Sequence, residues 1–182
     1  MEVPSLISFT PKSSKEFMTS LLLSETFDQY ELMQGEITTF NTFTINGFLQ
    51  KDFFIVGDDK PVDLSSPTHI GAREYSTWAE VKPIALHIIK GKRAPLQFKF
   101  TLRLATKETQ LIEKQVEDTT SATSTPSLLL SIRFDGQQIT CVSGTNHASF
   151  TIDKTWEHTW DRYVTQFLSE HFQEHSNLHA HV

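Results

Sequence analysis

Between Leu96 and Leu104 every second residue is leucine or phenylalanine, and Gln97, Lys99, Thr101 and Arg103 fill the positions between them. A two-residue period sends successive side chains to opposite faces of a strand, so this segment predicts one face on a core and the other in water. Everything else in the chain has to supply its neighbours and its cover.

Turn chemistry marks further strands. Tyr30 to Leu49 is rich in Thr, Phe and Ile, and Asn46-Gly47 sits between Thr44-Ile45 and Phe48-Leu49 as in a tight hairpin, which predicts two or three antiparallel strands there. Asp135-Gly136 stands in the same way between Leu128–Phe134 and Gln138–Ser143, Ala148–Ile152 predicts a further strand, and Leu6–Phe9 a short one closed by Pro11. Helices alternate with these strands. Ser13 precedes Glu16 at capping-box spacing and opens Phe17, Met18, Leu21 and Leu22. A second helix begins near Ser76, with Trp78, Val81, Ile84, Ala85, Ile88 and Ile89 on one buried face and Pro83 marking a kink or a late start. Thr106–Gln115 suits a short third helix and Lys154–Gln173 a last one. The fold class is therefore α+β, mainly an antiparallel sheet with about four helices.

The chain has 182 residues with 38% hydrophobic content, and its 14 Phe can bury large areas, so one domain over 1–182 with a substantial core is expected. Gly57 to Gly71 reads as a surface loop and linker, Glu117 to Ser127 as a poorly ordered Thr/Ser tract, and 176–182 as a flexible tail. A net charge of −6 gives no general attraction to phosphate backbones or anionic lipid, so nucleic acid is not an expected partner. Cys141 is the only cysteine and cannot form an internal disulfide. No apolar run approaches the roughly 20 residues of a membrane helix, and the first residues lack a secretory pattern. The expected setting is cytoplasmic.

The order strand, helix, meander, helix occurs twice, which suggests pseudo-repeats at 1–92 and 93–175. Its marks are Ile45-Asn46-Gly47 against Phe134-Asp135-Gly136 and Thr77-Trp78 against Thr159-Trp160. In element order this unit resembles the half-domain of DNA sliding clamps, with a helix added after each unit; the resemblance implies a clamp-like accessory of DNA metabolism. Clamps present basic helices to the duplex, whereas here Lys12 and Lys15 mix with Glu16 and Glu25, and Lys107 and Lys114 with Glu108 and Glu113.

The stretches Gly35-Glu36-Ile37-Thr38-Thr39-Phe40-Asn41-Thr42-Phe43, Ile89-Lys90-Gly91-Lys92-Arg93 and Phe150-Thr151-Ile152-Asp153-Lys154 resemble an uncharacterised family of small proteins from Gram-positive bacteria. That resemblance covers most of the chain. It implies a bacterial cytoplasmic setting and carries no activity or active site with it.

Candidate chemistry is sparse. His171-Phe172-Gln173-Glu174-His175 has the order of the inverted zinc-protease motif, but catalytic zinc takes three protein ligands and only seven residues follow His175, so incidental metal binding by His171 and His175 is the stronger metal reading and a solvated tail the stronger reading altogether. Lys90, Lys92 and Arg93 around Gly91 form the one basic cluster in sequence and can clamp an anion; cations and a glycine at a helix end also serve as an ordinary cap. Cys141 needs a base to act as nucleophile, and His147 is nearest in sequence, but a small buried core residue is the better reading. Asp153, Glu157 and Asp161 line one face of the last helix, expected to be solvated. Trp78, Trp156 and Trp160 belong to the core unless one emerges at an interface. Thr38, Thr39, Thr42 and Thr44 beside Phe40 and Phe43 can line a groove, or simply favour strands.

With no triad, metal set or nucleotide loop, the sequence points to a non-catalytic interaction or ligand-binding module without a cofactor, self-associating through a strand edge or a Trp-bearing helix. A small enzyme or binder for a phosphorylated or anionic metabolite, with Lys90, Lys92 and Arg93 as clamp, is the alternative.

Overall fold

The computed structural model of the protein describes residues 7–54, 73–117, 125–150 and 152–174. In chain order its elements are β1 (Ser8–Phe9), α1 (Ser14–Leu23), β2 (Tyr30–Thr38), β3 (Thr42–Asn46), α2 (Trp78–Ile89), β4 (Gln97–Leu104), α3 (Thr106–Glu117), β5 (Ser127–Phe134), β6 (Ile139–Asn146) and α4 (Thr155–His171). The fold is α+β, as the alternation and the caps predict. The strands form one antiparallel sheet of six, in the order β1-β6-β5-β4-β2-β3.

The alternating segment is an interior strand. Phe98, Phe100, Leu102 and Leu104 of β4 are buried, with Leu128, Leu130, Ile132 and Phe134 of β5 and Ile139 and Cys141 of β6 on the same side. The helices cover that side: Trp78 of α2 packs on Phe100 with ring centroids 4.9 Å apart, and α4 lies against β6. Leu96 was expected in this row but precedes the strand and is 65% exposed; its amide donates to the Thr38 carbonyl at 2.8 Å. A bulge at Met33 resets the phase of β2, so that Tyr30 and Leu32 before it and Ile37 after it all face the core.

Helix starts follow their caps. Ser13 Oγ accepts from Glu16 N at 3.2 Å, and Thr77 with Glu80 forms a reciprocal capping box at α2. The chain is already helical at Trp78, so Pro83 is neither the start nor the end of α2; it lies inside the helix at an exposed position. Trp78, Val81, Ala85 and Ile89 are buried as the spacing predicts, whereas Ile84 is turned 55% to solvent. The helix ends on Lys90 in extended conformation, and Gly91 has no positive φ, so the glycine cap expected there does not form.

The two expected hairpins part ways. Asp135-Gly136 does close β5 onto β6, in a four-residue loop with Gly136 at φ 96° and the Asp135 carboxylate accepting from Gln137 N and Gln138 N at 2.9 Å each. Asn46-Gly47 is not a hairpin turn. The β2–β3 chain reversal lies at 39–41, while Gly47 passes directly over the Leu32 carbonyl, where a Cβ would sit 1.7 Å from the oxygen. Ala148–Ile152 is not a strand at its described positions; Phe150 and Ile152 are 92% and 83% exposed there.

The strand pairing does not repeat. β4 pairs with β5, but β1, which a duplication would place beside β2, lies at the far edge on β6. Thr77 caps a helix, whereas Thr159 lies inside α4, so the sequence marks fall in different settings. The loop expected at 57–71, most of the 117–127 tract and the 176–182 tail lie outside the described residues.

Candidate functional site on the open sheet face

The face of the sheet away from the helices carries the polar residues of the alternation. Among the described residues no helix covers it. Register aligns Glu36, Lys99, Arg133 and Thr140 in one row across β2, β4, β5 and β6, with Gln34, Thr101, Ser131 and Val142 in the next. The twist of the sheet and the β5–β6 loop, which brings Asp135 and Gln138 to the rim, make this a groove of about 690 Å³.

Lys99 and Arg133 are direct cross-strand neighbours. Among the described residues neither forms an ion pair with a carboxylate. Asp135, the closest in sequence, is turned to its own loop: hydrogen bonds from the amides of Gln138 and Gln137, and secondarily the charge of Arg133, hold its carboxyl below the ordinary range. Ser131 and Thr140 hydroxyls and the Gln97 and Gln138 amides line the groove beside the two cations, together with the Glu36 and Asp135 carboxylates.

A different arrangement holds the opposite end of the same face. Arg103 Nη2 lies 2.6 Å from the buried Glu31 carboxylate, Nη1 lies 2.8 Å from Glu74, and the guanidinium stacks 4.5 Å over the Tyr75 ring. Burial works against the Arg103 charge, but the hydrogen bonds and charges of Glu31 and then Glu74 outweigh it and raise its pKa. This cation is fully paired. Its role is to hold the segment 73–77, which bridges β2 through Glu31 and Thr77.

The residues singled out in the sequence fall elsewhere. Lys90, Lys92 and Arg93 are exposed in the turn after α2. His171 ends α4 with its Nδ1 2.8 Å from the Phe167 carbonyl and its ring against Phe167, while His175 lies outside the described residues. Among the described residues no three His, Cys, Asp or Glu side chains gather as metal ligands. Cys141 is buried and its thiol is pushed up by that burial, and His147, its nearest base in sequence, faces Glu157 at 3.3 Å. The three acidic residues do not share one solvated face: Asp153 precedes α4 and accepts from Thr155, Glu157 is half-buried beside His147, and Asp161 is covered. Asp161 is buried, accepting from the Ser143 hydroxyl, which in turn accepts from Ile7 N, because α4 lays this face on β6. All three Trp are buried, so none of them emerges at the surface. Thr38 and Thr42 close the β2–β3 hairpin with their hydroxyls 3.1 Å apart. Lys99 and Arg133 carry no signal of their own in the sequence, each being an ordinary polar position of an alternating strand; only the β4–β5 register brings them together.

The architecture defines the chain as a single-sheet α+β protein with helices on one face. It belongs to a family of unknown function, DUF5721, whose model matches residues 20–175. No curated protein and no solved structure matches the chain. Among the described residues no helix is long and apolar enough to cross a membrane.

Proposed function

We propose that the protein is a non-catalytic binding module that holds an anionic ligand on the open face of its sheet. One observation carries this reading: Lys99 stands directly opposite Arg133, and among the described residues no salt bridge ties either to a carboxylate, although Glu36 stands across from Lys99 on β2. Like charges opposite one another on neighbouring strands destabilise a sheet, and an anion between them converts repulsion into charge-assisted hydrogen bonds. The planar guanidinium of Arg133 suits bidentate contact with a carboxylate or phosphate, and Lys99 adds a point charge. The ligand class is a small phosphorylated or carboxylated compound, with the hydroxyl and amide groups of the groove reading its polar body. Cys141, the nucleophile candidate in the sequence, is buried with its thiol pushed up by that burial, which favours binding over chemistry. The bacterial cytoplasmic setting that the sequence resemblance implies is rich in such metabolites.

Thermal-shift screening with phosphorylated and carboxylated metabolites tests this. A ligand at about 100 times its Kd adds roughly 2.7 kcal/mol, or about 5–10 °C for a chain of this size. The rise should vanish in K99A/R133A and persist in K90A/K92A/R93A. Silence across the panel, or loss of the response in the triple variant with retention in the double, overturns the proposal.

A further inference from the structure

The two edges of the sheet are treated differently. The β1 edge is two residues long and is closed by Pro11, whose isolated bridge to Glu174 ends the pairing. Short strands and prolines blunt an edge. The other edge is β3, Thr42-Phe43-Thr44-Ile45-Asn46, with no charge, proline or bulge in it. Among the described residues nothing pairs with its outer side. Alternation in an antiparallel pair leaves every second residue of such a strand with its N–H and C=O turned outward.

We infer that this edge pairs antiparallel with β3 of a second copy of the chain, about a two-fold axis at Thr44. The sequence is self-complementary in that register. Phe43 falls opposite Ile45, an aromatic and β-branched pair, Thr44 opposite Thr44, and Thr42 opposite Asn46, with no charge facing a like charge. The same axis brings the end carrying Phe40, 85% exposed, to the end carrying Phe48, 45% exposed, so two exposed rings flank the strand symmetrically. Phe40 is already stacked edge-on against Phe43, and Phe48 against Tyr75, both at 5.8 Å between centroids. A two-fold normal to the sheet keeps both open faces on the same side, so the dimer presents two grooves to one partner surface. Pairing over five residues falls among the small interfaces, below about 1,200 Å², that associate weakly.

Sedimentation velocity over a wide concentration range, without ligand, reads this directly. The wild-type chain should pass from monomer to dimer with concentration. Thr44 is exposed and stands across from Glu36 on β2, so T44K and T44E should both fold, T44E with a small loss of stability, yet each weaken association at least tenfold, and mixing the two in equal amounts should restore it as a heterodimer. K99A/R133A should dimerise as wild type does, which separates this inference from the ligand proposal. A wild-type chain monomeric throughout, a T44K chain that dimerises undiminished, or a mixture that stays monomeric overturns it.

Discussion

Replacing Gly47 with alanine should destabilise the protein by about 3–5 kcal/mol, far more than Gly-to-Ala changes at open positions. Gly47 is not a turn residue with positive φ; it is the point where the chain leaving β3 crosses the β2 backbone. An added Cβ lies 1.7 Å from the Leu32 oxygen and 2.7 Å from its carbon, and rigid backbone gives way only by separating more than another ångström. That movement strains three linked hydrogen bonds, Gly47 N to Met33 O at 3.0 Å, Ser76 N to Gly47 O at 2.8 Å and Leu32 N to Ser76 O at 2.9 Å. Losing the equivalent of two of them costs about 2 kcal/mol, and overpacking adds roughly 1–3. At about 2–4 °C per kcal/mol for this size, the melting temperature should fall by about 6–20 °C. Urea unfolding followed by Trp fluorescence measures it, since Trp78 and Trp160 are fully buried. G91A is the control, because its nearest neighbour, the Arg93 oxygen, lies 3.9 Å away, and it should stay within about 0.5 kcal/mol of wild type. A G47A protein as stable as G91A would refute the crossing.

Three further outcomes follow from the same structure. R103A should cost about 3–5 kcal/mol in urea unfolding by leaving the buried Glu31 carboxylate unpaired, while E31L/R103M should cost clearly less; additive single effects would contradict the pairing. Cys141 should resist a thiol-specific reagent in the native state and react at once in urea, and rapid native labelling would show that the strand is not buried as described. Glu80 is held below the ordinary carboxylate value of 4.5, chiefly by hydrogen bonds from Arg73, so its contribution is present above that pH and disappears as pH falls through the depressed value. Glu80 is about half exposed, so R73Q should flatten the acid side of the stability profile by less than about 1 kcal/mol, and an unchanged profile would remove the pair from the account.

Much of the fold was legible because local signals agree with it. The period-two run of β4, the Ser13 cap, the start of α2 close to Ser76 and the Asp135-Gly136 turn each act within a few residues, and each forms as read. The failures have a shared cause in long-range packing. Asn-Gly is the usual hairpin pair, but Gly47 is required by a carbonyl in another strand, which no local pattern encodes. Asp161 resembles a helix-surface acid until β6 places Ser143 beneath it. Lys99 and Arg133 are individually bland and acquire meaning only when β4 pairs with β5. Lys90, Lys92 and Arg93, conspicuous because they are adjacent in sequence, stand exposed after α2.

The open-face site is tested most directly by following backbone amide resonances while citrate or pyrophosphate is titrated into the protein. The account predicts saturable shifts gathered on Lys99, Ser131, Arg133 and Thr140, and their disappearance in K99A/R133A. Shifts centred on residues 90–93, or none at millimolar anion, would contradict it.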